Sequence, residues 1–248
     1  VFKATLDSTK TWKQIVDALA TLLTEAQFVA TSTGLTLRQM DSSRAAMIDL
    51  SLPAAIFQEY NCDKEQQICL GVDELTKVSK RMAGEDKLEF SVVEQRFHIR
   101  MIGQADRLFK LQMLTPPESP PKKPSPDFDI RAELYADGFK QAVKDVGVVS
   151  SHVKIVADKD TLTFIGEGDT GEAEVSLKVG EEATLFDLKA KNKATSMYAL
   201  NYLSEISKAM SGDTLILQFS TNKPIMLDFD VAEGSRVSFI LAPRVERR

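Results

Sequence analysis

Apolar residues fall on alternate positions in one stretch after another, and a few stretches break that rhythm with helical spacing. Val1–Leu6 alternates like a half-buried strand. Ser8 is suited to cap a helix. After it, Trp12, Ile15, Val16, Leu19, Leu22 and Leu23 form one apolar stripe along TKTWKQIVDALATLL. Gln27–Thr31, Leu35–Met40 and Ala45–Leu52 read as strands, with Gly34 at the turn between the first two. Pro53 opens a short turn or helix over AAIFQEY, and Gln67–Val72 is a further strand. Asp73–Met82 reads as a second helix, with acids in its first turn where carboxylates complement the helix dipole. Gly84 ends it, and Lys87–Val93, Arg96–Ile102 and Arg107–Leu114 alternate again. A half-chain of two helices and about eight strands predicts an α+β layer rather than a βαβ sheet.

The order then recurs. IRAEL at Ile130–Leu134 answers FKATL at Phe2–Leu6, and GFKQAVKDV from Gly138 answers TWKQIVDAL from Thr11, with Phe139 in the place of Trp12. TLTFIGEGD from Thr161 answers GLTLRQMD from Gly34, and SKAMSGDTLIL from Ser207 answers SKRMAGEDKLEF from Ser79. RVSFILAP at Arg236–Pro243 answers RLFKLQML at Arg107–Leu114. Five matches in one order, at an offset of about 127–129 residues, predict two copies of a whole domain.

Between the copies lies TPPESPPKKPSPDF, which holds six of the nine prolines in the chain. Each proline fixes φ and lacks an N–H, so this run forms neither a helix nor a ladder strand. It reads as an extended, semi-rigid connector. The expected organisation is a first domain over 1–114, a connector over 115–127 and a second domain over 128–248.

The composition, 43% hydrophobic and 27% charged over 248 residues, suits a globular protein with a real core. No apolar run is long enough to cross a bilayer and no secretory leader pattern is visible, so an intracellular protein without membrane attachment is expected. Cys62 and Cys69 lack a second cysteine pair or clustered histidines, so no metal and no disulfide is expected. The glycines of GEGDTG, at Gly166, Gly168 and Gly171, lie between two strands and read as a hairpin loop rather than a phosphate cradle. His98 lies opposite the Phe97, Ile99 and Met101 face. His152 follows two serines but no nucleophile elbow, and Asp41–Arg44 reads as turn chemistry. The expectation is a protein that is not an enzyme and needs no cofactor.

What stands out is charge on the helices. Lys77, Lys80 and Arg81 share one face, as do Lys10 with Lys13 and Lys140 with Lys144, and Lys208 recurs at the position of Lys80. Exposed helix faces are commonly charged, but here the basic clusters recur on equivalent helices in a chain of net charge −5. That separation fits one surface facing nucleic acid. No aromatics interleave with the lysines, so phosphate contact without base readout is expected.

At this point the sequence resembles a known family. MDSSR at Met40–Arg44 with AAMIDLSLP after it, and the terminal FILAPRVE at Phe239–Glu246, are similar to motifs of the archaeal and eukaryotic DNA sliding clamps, the proliferating cell nuclear antigen family. FKATL, the EA at Glu25–Ala26, YNCD at Tyr60–Asp63 and KRMAGED are similar as well, and the likeness runs the length of the chain.

The resemblance implies two tandem clamp domains, helices on one face and antiparallel sheets on the other, forming one third of a closed ring. It implies a processivity factor that encircles double-stranded DNA without regard to sequence. Lys10, Lys13, Lys77, Lys80, Arg81, Lys140, Lys144 and Lys208 would then face the DNA. Ring closure would use Arg107, Lys110 and Gln112 on one edge strand and Glu172, Glu174, Val175 and Ser176 on another, with Arg107 and Lys110 meeting Glu172 and Glu174. A hydrophobic pocket under the connector, lined by Met40, Arg44, Met47, Pro224, Ile240, Ala242, Pro243 and Val245, would take short motifs of DNA polymerase, flap endonuclease, DNA ligase and the clamp loader. The family's connector usually offers aliphatic residues there, whereas this one carries Lys122 and Lys123. A homotrimer is expected, in the cytoplasm or nucleoid of an archaeon or the nucleus of a eukaryote. The alternatives are one subunit of a heterotrimeric clamp, or a two-domain α+β ligand-binding protein that does not bind DNA.

Overall fold

The computed structural model describes residues 1–116, 119–232 and 234–245. Pro117 and Glu118 of the connector and Glu246 of the terminal motif lie outside the described residues. The chain divides into two compact bodies, one of Val1–Lys123 with Asp230–Val237 and one of Pro124–Phe229 with Ser238–Arg248. The division falls inside the proline-rich connector, which has no helix or strand among its described residues.

The first body contains β1 (Phe2–Leu6), α1 (Thr9–Ala20), β2 (Glu25–Thr31), β3 (Gly34–Met40), β4 (Ala46–Pro53), a 3-10 turn at Ala54–Ile56, β5 (Glu59–Cys62), β6 (Gln66–Gly71), α2 (Val72–Ser79), β7 (Lys87–Val93), β8 (Arg96–Ile102) and β9 (Asp106–Gln112). One antiparallel sheet runs β5-β1-β7-β8-β9, and a second arrangement runs β4-β3-β2-β6. The strand β5 replaces the second half of the turn or helix expected after Pro53. Glu59–Cys62 pairs along β1, Phe2 opposite Cys62 and Thr5 opposite Glu59, and that ladder overrides the local pattern.

The second body, taken with the parts of β17 and β18 that fall in Asp230–Val237, follows the same plan: β10 (Ile130–Tyr135), α3 (Ala136–Val146), β11 (His152–Asp158), β12 (Thr161–Gly168), β13 (Gly171–Lys178), β14 (Leu185–Ala190), β15 (Ala194–Ala199), α4 (Leu200–Lys208), β16 (Thr214–Phe219), β17 (Ile225–Ala232) and β18 (Ser235–Leu241). Its sheets run β14-β10-β16-β17-β18 and β13-β12-β11-β15. Counting nine strands on from β1, this is the strand order of the first body again. The duplication read from the sequence is therefore a duplication of topology.

Burial explains why the elements sit as they do. Trp12, Ile15, Val16, Ala18 and Leu19 of α1 are all buried, and so are Phe139, Ala142, Val143 and Val146 of α3. Trp12 packs against Phe90 at a tilt of 40°, with 4.5 Å between ring centres, while Phe139 meets Phe164 edge-on at 5.9 Å. Ser8 caps α1 as expected, accepting from the Thr11 N–H at 3.2 Å. The helix α2 ends at Ser79, short of the expected Met82, because the next turn tightens: the Arg81 N–H reaches the Val78 carbonyl and the Met82 N–H reaches Ser79. Gly168 and Gly171 pair across the tight turn of the β12–β13 hairpin, and a Cβ on Gly168 would lie 1.8 Å from the Val149 carbonyl oxygen. The GEGDTG glycines are hairpin residues.

The Trp12 indole N–H is buried with no hydrogen-bond partner. Phe139 does the same packing in the second body without a donor. Trp12→Phe therefore removes an orphaned donor and some volume together, terms of about 1–3 kcal/mol each and opposite in sign. The expected change in unfolding free energy, read by urea titration of the full chain, is within about 1 kcal/mol. A loss above about 3 kcal/mol would show that the indole N–H is satisfied.

Candidate nucleic-acid interface, sheet edges and connector cleft

The helix lysines divide into two kinds. Lys10, Lys77, Lys80 and Arg81 of the first body and Lys144 and Lys208 of the second are exposed. Lys80 and Arg81 stand at the exit of α2 rather than in its body. Lys13 and Lys140 are half-buried, and each donates to a main-chain carbonyl just past the partner helix: Lys13 Nζ to Met82 O at 2.9 Å and Lys140 Nζ to Met210 O at 2.6 Å. These contacts occupy matching places in the two copies. Each ties the first helix of its body to the loop after the second and satisfies a carbonyl left over at a helix end. Lys208 also has a partner of its own, Glu205 Oε1 at 2.6 Å, one turn back on α4. The α2 and α4 exits thus differ, with Lys77 in the place of Glu205.

Among the described strands β5, β6, β9, β13, β14 and β15 have a strand ladder on one side only, and β9 and β13 are the two with no fully buried residue. β9 pairs with β8, and β13 with β12, at the ends of their sheets. Both alternate between exposed and half-buried residues with nothing fully buried, and Leu108 on β9 is 49% exposed. Lys110 and Gln112 are exposed on β9, as are Glu172, Glu174 and Ser176 on β13, while Val175 is half-buried. Arg107 has partners within the chain. Its Nη2 is 2.5 Å from Asp86 Oδ2, and its Nη1 donates to the Arg81 carbonyl at 2.8 Å. The carboxylate of Asp86 is buried and also accepts from the Ala83 N–H at 2.8 Å. Burial of that acid demands a cation, and Arg107 supplies it within the chain.

The Asp41–Arg44 loop is built on one carboxylate. Asp41, 8% exposed, accepts from the Ala45 and Ala46 N–H groups, both at 2.9 Å, and from Ser43 Oγ at 2.6 Å. Arg44 takes a left-handed backbone, φ 58°, to close the turn. Beside it β2 and β3 part company. Their ladder stops at Val29 opposite Thr36. Further on, the Gln39 side chain stands in for the backbone, accepting from the Gln27 N–H at 2.7 Å and donating to the Glu25 carbonyl at 3.1 Å.

That splay leaves a cleft of about 480 Å³ lined by Arg38, Met40, Ser42, Arg44 and, from the connector, Ser119, Pro120 and Pro121. Arg38 Nη1 reaches the Pro121 carbonyl at 3.5 Å. Asp49, opposite Arg38 in the β3–β4 register, lies 3.3 Å from Arg38 Nε and 3.3 Å from Lys123 Nζ. The connector lysine is thus an ion-pair partner of the sheet. Met40 is 36% exposed, but Met47, expected in the pocket, is 8% exposed and belongs to the core. In the second body Pro224, Ala242 and Val245 are exposed, and Ile240 and Pro243 are half-buried. The sequence reading missed Arg38, Gln39 and Asp49. Their signal was present as an Arg and a Gln interrupting an otherwise alternating strand.

No group of three or more His, Cys, Asp or Glu residues suited to a metal occurs among the described residues, and both cysteines are buried thiols. No helix is long and apolar enough to cross a membrane.

Two like domains joined by a connector, each with a helix pair and a free sheet edge, define the class of a two-domain clamp subunit. The comparisons name the family. The profile for the proliferating cell nuclear antigen N-terminal domain matches residues 1–112, and that for its C-terminal domain matches residues 122–244. The DNA polymerase sliding clamp of Thermofilum pendens is 37% identical over 237 residues, covering 95% of this chain and 96% of that one. That of Thermococcus sibiricus is 33% identical over 247 residues, with 99% of each covered. Among solved structures, the clamp of Thermococcus kodakaraensis superposes with a TM-score of 0.93 at 29% identity, covering 98% of this chain and all of that one. A structure of the C-terminal region of FEN-1 bound to the A. fulgidus clamp superposes at 0.90 and 26% identity, with both chains fully covered. The chain belongs to the proliferating cell nuclear antigen family and is a sliding clamp, a processivity factor rather than an enzyme.

One titration follows from the second body. His152 is held below its usual 6.5, first by burial and then by the charge of Arg244. The folded chain therefore prefers the neutral imidazole. The stability this contributes is complete above 6.5 and is lost as pH falls through the depressed folded value. In an NMR titration Arg244→Gln is expected to raise the His152 midpoint while leaving it below 6.5, because burial is the larger cause. An unchanged midpoint would remove Arg244 from the account.

Proposed function

We propose that three copies of this chain close head to tail into a ring around duplex DNA, and that the ring tethers replication and repair enzymes through the connector region. The observation that carries this reading is the pair of free edges, β9 and β13, on two different bodies. A contact between two different edges is heterologous, and such contacts close into rings when the rotation permits. A free alternating edge is otherwise an aggregation hazard. The exposed charges complement each other, with Lys110 on one edge and Glu172 and Glu174 on the other. With Arg107 committed to Asp86, Lys110 is the cation left for this pairing.

For DNA, the exposed cations Lys10, Lys77, Lys80, Arg81 and Lys144 are the proposed phosphate contacts, with Lys208 sharing its charge with Glu205. Lys13 and Lys140 add positive charge from fixed positions and serve chiefly to tie helix to loop. Docking of polymerase, flap endonuclease, ligase and loader motifs is proposed on Met40 and Arg44 of the first body. The same role is proposed for Pro224, Ile240, Ala242, Pro243 and Val245 of the second, on the family resemblance. The structure of a FEN-1 C-terminal region bound to the A. fulgidus clamp supports this mode.

Charge reversal tests the ring. Glu172→Lys with Glu174→Lys should shift light-scattering mass from three times 27.5 kDa toward monomer, and Lys110→Glu should restore part of the trimer. Each exposed pair is worth about 0.2–1 kcal/mol, so the effect grows on dilution and shrinks with salt. Trimer that survives the reversal unchanged would refute the edge pairing. Wild-type chain that stays monomeric or dimeric alone would point to a heterotrimer.

The two kinds of lysine separate in a second experiment. Lys80→Gln with Arg81→Gln should weaken retention on loaded circular duplex and flatten its salt dependence, by up to about 0.9 in slope per lost phosphate contact. Lys13→Gln or Lys140→Gln should instead lower the thermal midpoint, since Met82 or Met210 loses its donor. Equal retention in all variants would argue against a DNA-facing role for α2.

A further inference from the structure

The loop after α2 carries two exposed cations, Lys80 and Arg81, on a backbone whose polar groups are met from several sides. The Arg81 N–H donates to the Val78 carbonyl at 2.9 Å, and the Arg81 carbonyl accepts from Arg107 Nη1 at 2.8 Å. The Met82 N–H reaches the Ser79 carbonyl at 3.1 Å, and the Met82 carbonyl accepts from Lys13 Nζ at 2.9 Å. Asp86 closes the loop, accepting from the Ala83 N–H with the same Oδ2 that meets Arg107 Nη2. The turn between β8 and β9 makes room for this carboxylate: a Cβ on Gly103 would lie 2.2 Å from Asp86 Oδ1. In the second body Asp213, at the place of Asp86, is exposed, and Ala209 stands in the place of Arg81.

We propose that the Asp86–Arg107 pair is a positioning element for DNA: it sets where Lys80 and Arg81 stand and makes their placement depend on β9. The inference rests on the proposed phosphate contacts of these two cations. A long side chain on a wandering loop must surrender backbone freedom when it meets a phosphate, whereas one on a fixed loop does not. Arg107 is suited to the task because its guanidinium spans two acceptors at once, one on the acid and one on the main chain. Asp86 is only 2% exposed, and a buried acid holds such a cation firmly, since losing it leaves an uncompensated charge. Arg107 lies on β9, the strand proposed to close the ring, so edge pairing that stiffens β9 also stiffens the loop that meets DNA. A closed ring then presents its α2 cations in place, and an open edge leaves them looser.

Asp86→Asn separates this reading from plain electrostatics by sign. It removes a negative charge beside the α2 cations, so charge alone would lengthen retention of the full-length clamp on loaded circular duplex. Loss of positioning is expected to shorten it instead, by about threefold at low salt, with trimer mass in light scattering unchanged. In a Lys80→Gln, Arg81→Gln background the same substitution should shorten retention no further, because the groups it positions are gone. Arg107→Lys keeps the charge but offers one nitrogen where Arg107 uses two. It replaces Asp86→Asn should that variant fail to fold, and the same loss is expected of it. Longer or equal retention, or an undiminished loss in the double background, would overturn the inference while leaving the DNA contacts intact. Trimer lost in step with retention would assign the pair to the ring edge and overturn it too. If Lys80→Gln with Arg81→Gln itself leaves retention unchanged, the DNA-facing reading and the inference fall together.

Discussion

An unpaired backbone ladder at a sheet end is the constraint on which the architecture turns. Each residue of β9 and β13 presents an N–H and a C=O, and among the described residues no strand pairs with those on the outer side. Water can satisfy them, yet their half-buried Phe109, Leu111, Val175 and Leu177 make poor solvent-facing surface. Pairing strand to strand meets both needs at once, with main-chain bonds along the ladder and cross-strand contacts over its faces. In the proposed ring charge then decides the partner: an edge bearing Lys110 is a poor match for a copy of itself and a good one for Glu172 and Glu174.

The helices make a second demand. Their apolar faces are consumed by the sheets, so the outward faces are free to carry charge. Lys13 and Lys140 show how that freedom is limited, because each amine is held by a carbonyl at the end of the neighbouring helix. Recurrence in both copies signals function in general but not its kind. The recurrence of Lys13 in Lys140 preserves a structural tie, whereas Lys77, Lys80 and Arg81 have only Lys208 as a counterpart, and that residue pairs with Glu205.

Much of this was legible in the sequence, for identifiable reasons. Strands one side of which faces water alternate, so β7, β8 and β12 declared themselves. The duplication was legible because TWKQIVDAL and GFKQAVKDV keep spacing as well as character. The strand β5 was not, since four residues after a proline carry too little pattern to compete with a turn. The end of α2 was overrun for a related reason: the 3-10 turn after Ser79 keeps nearly the same residue spacing. Long-range partners were least accessible. Asp86 and Arg107 are 21 residues apart, and nothing local in either segment marks the pair.

The connector shows how composition and contact diverge. Read as a string, its prolines and lysines suggest an extended, semi-rigid connector. In the fold, Lys123 is paired with Asp49, and the Pro121 carbonyl lies near Arg38. Proline lacks a donor, but its carbonyl is an undiminished acceptor, and a stiff chain holds that acceptor in place at low entropic cost. Where an aliphatic connector would press an apolar wall against Met40, this one brings charge to the rim and asks the sheet to answer it. Asp49 answers for two cations at once. The ion pairing at that rim is therefore a property of the connector and sheet together.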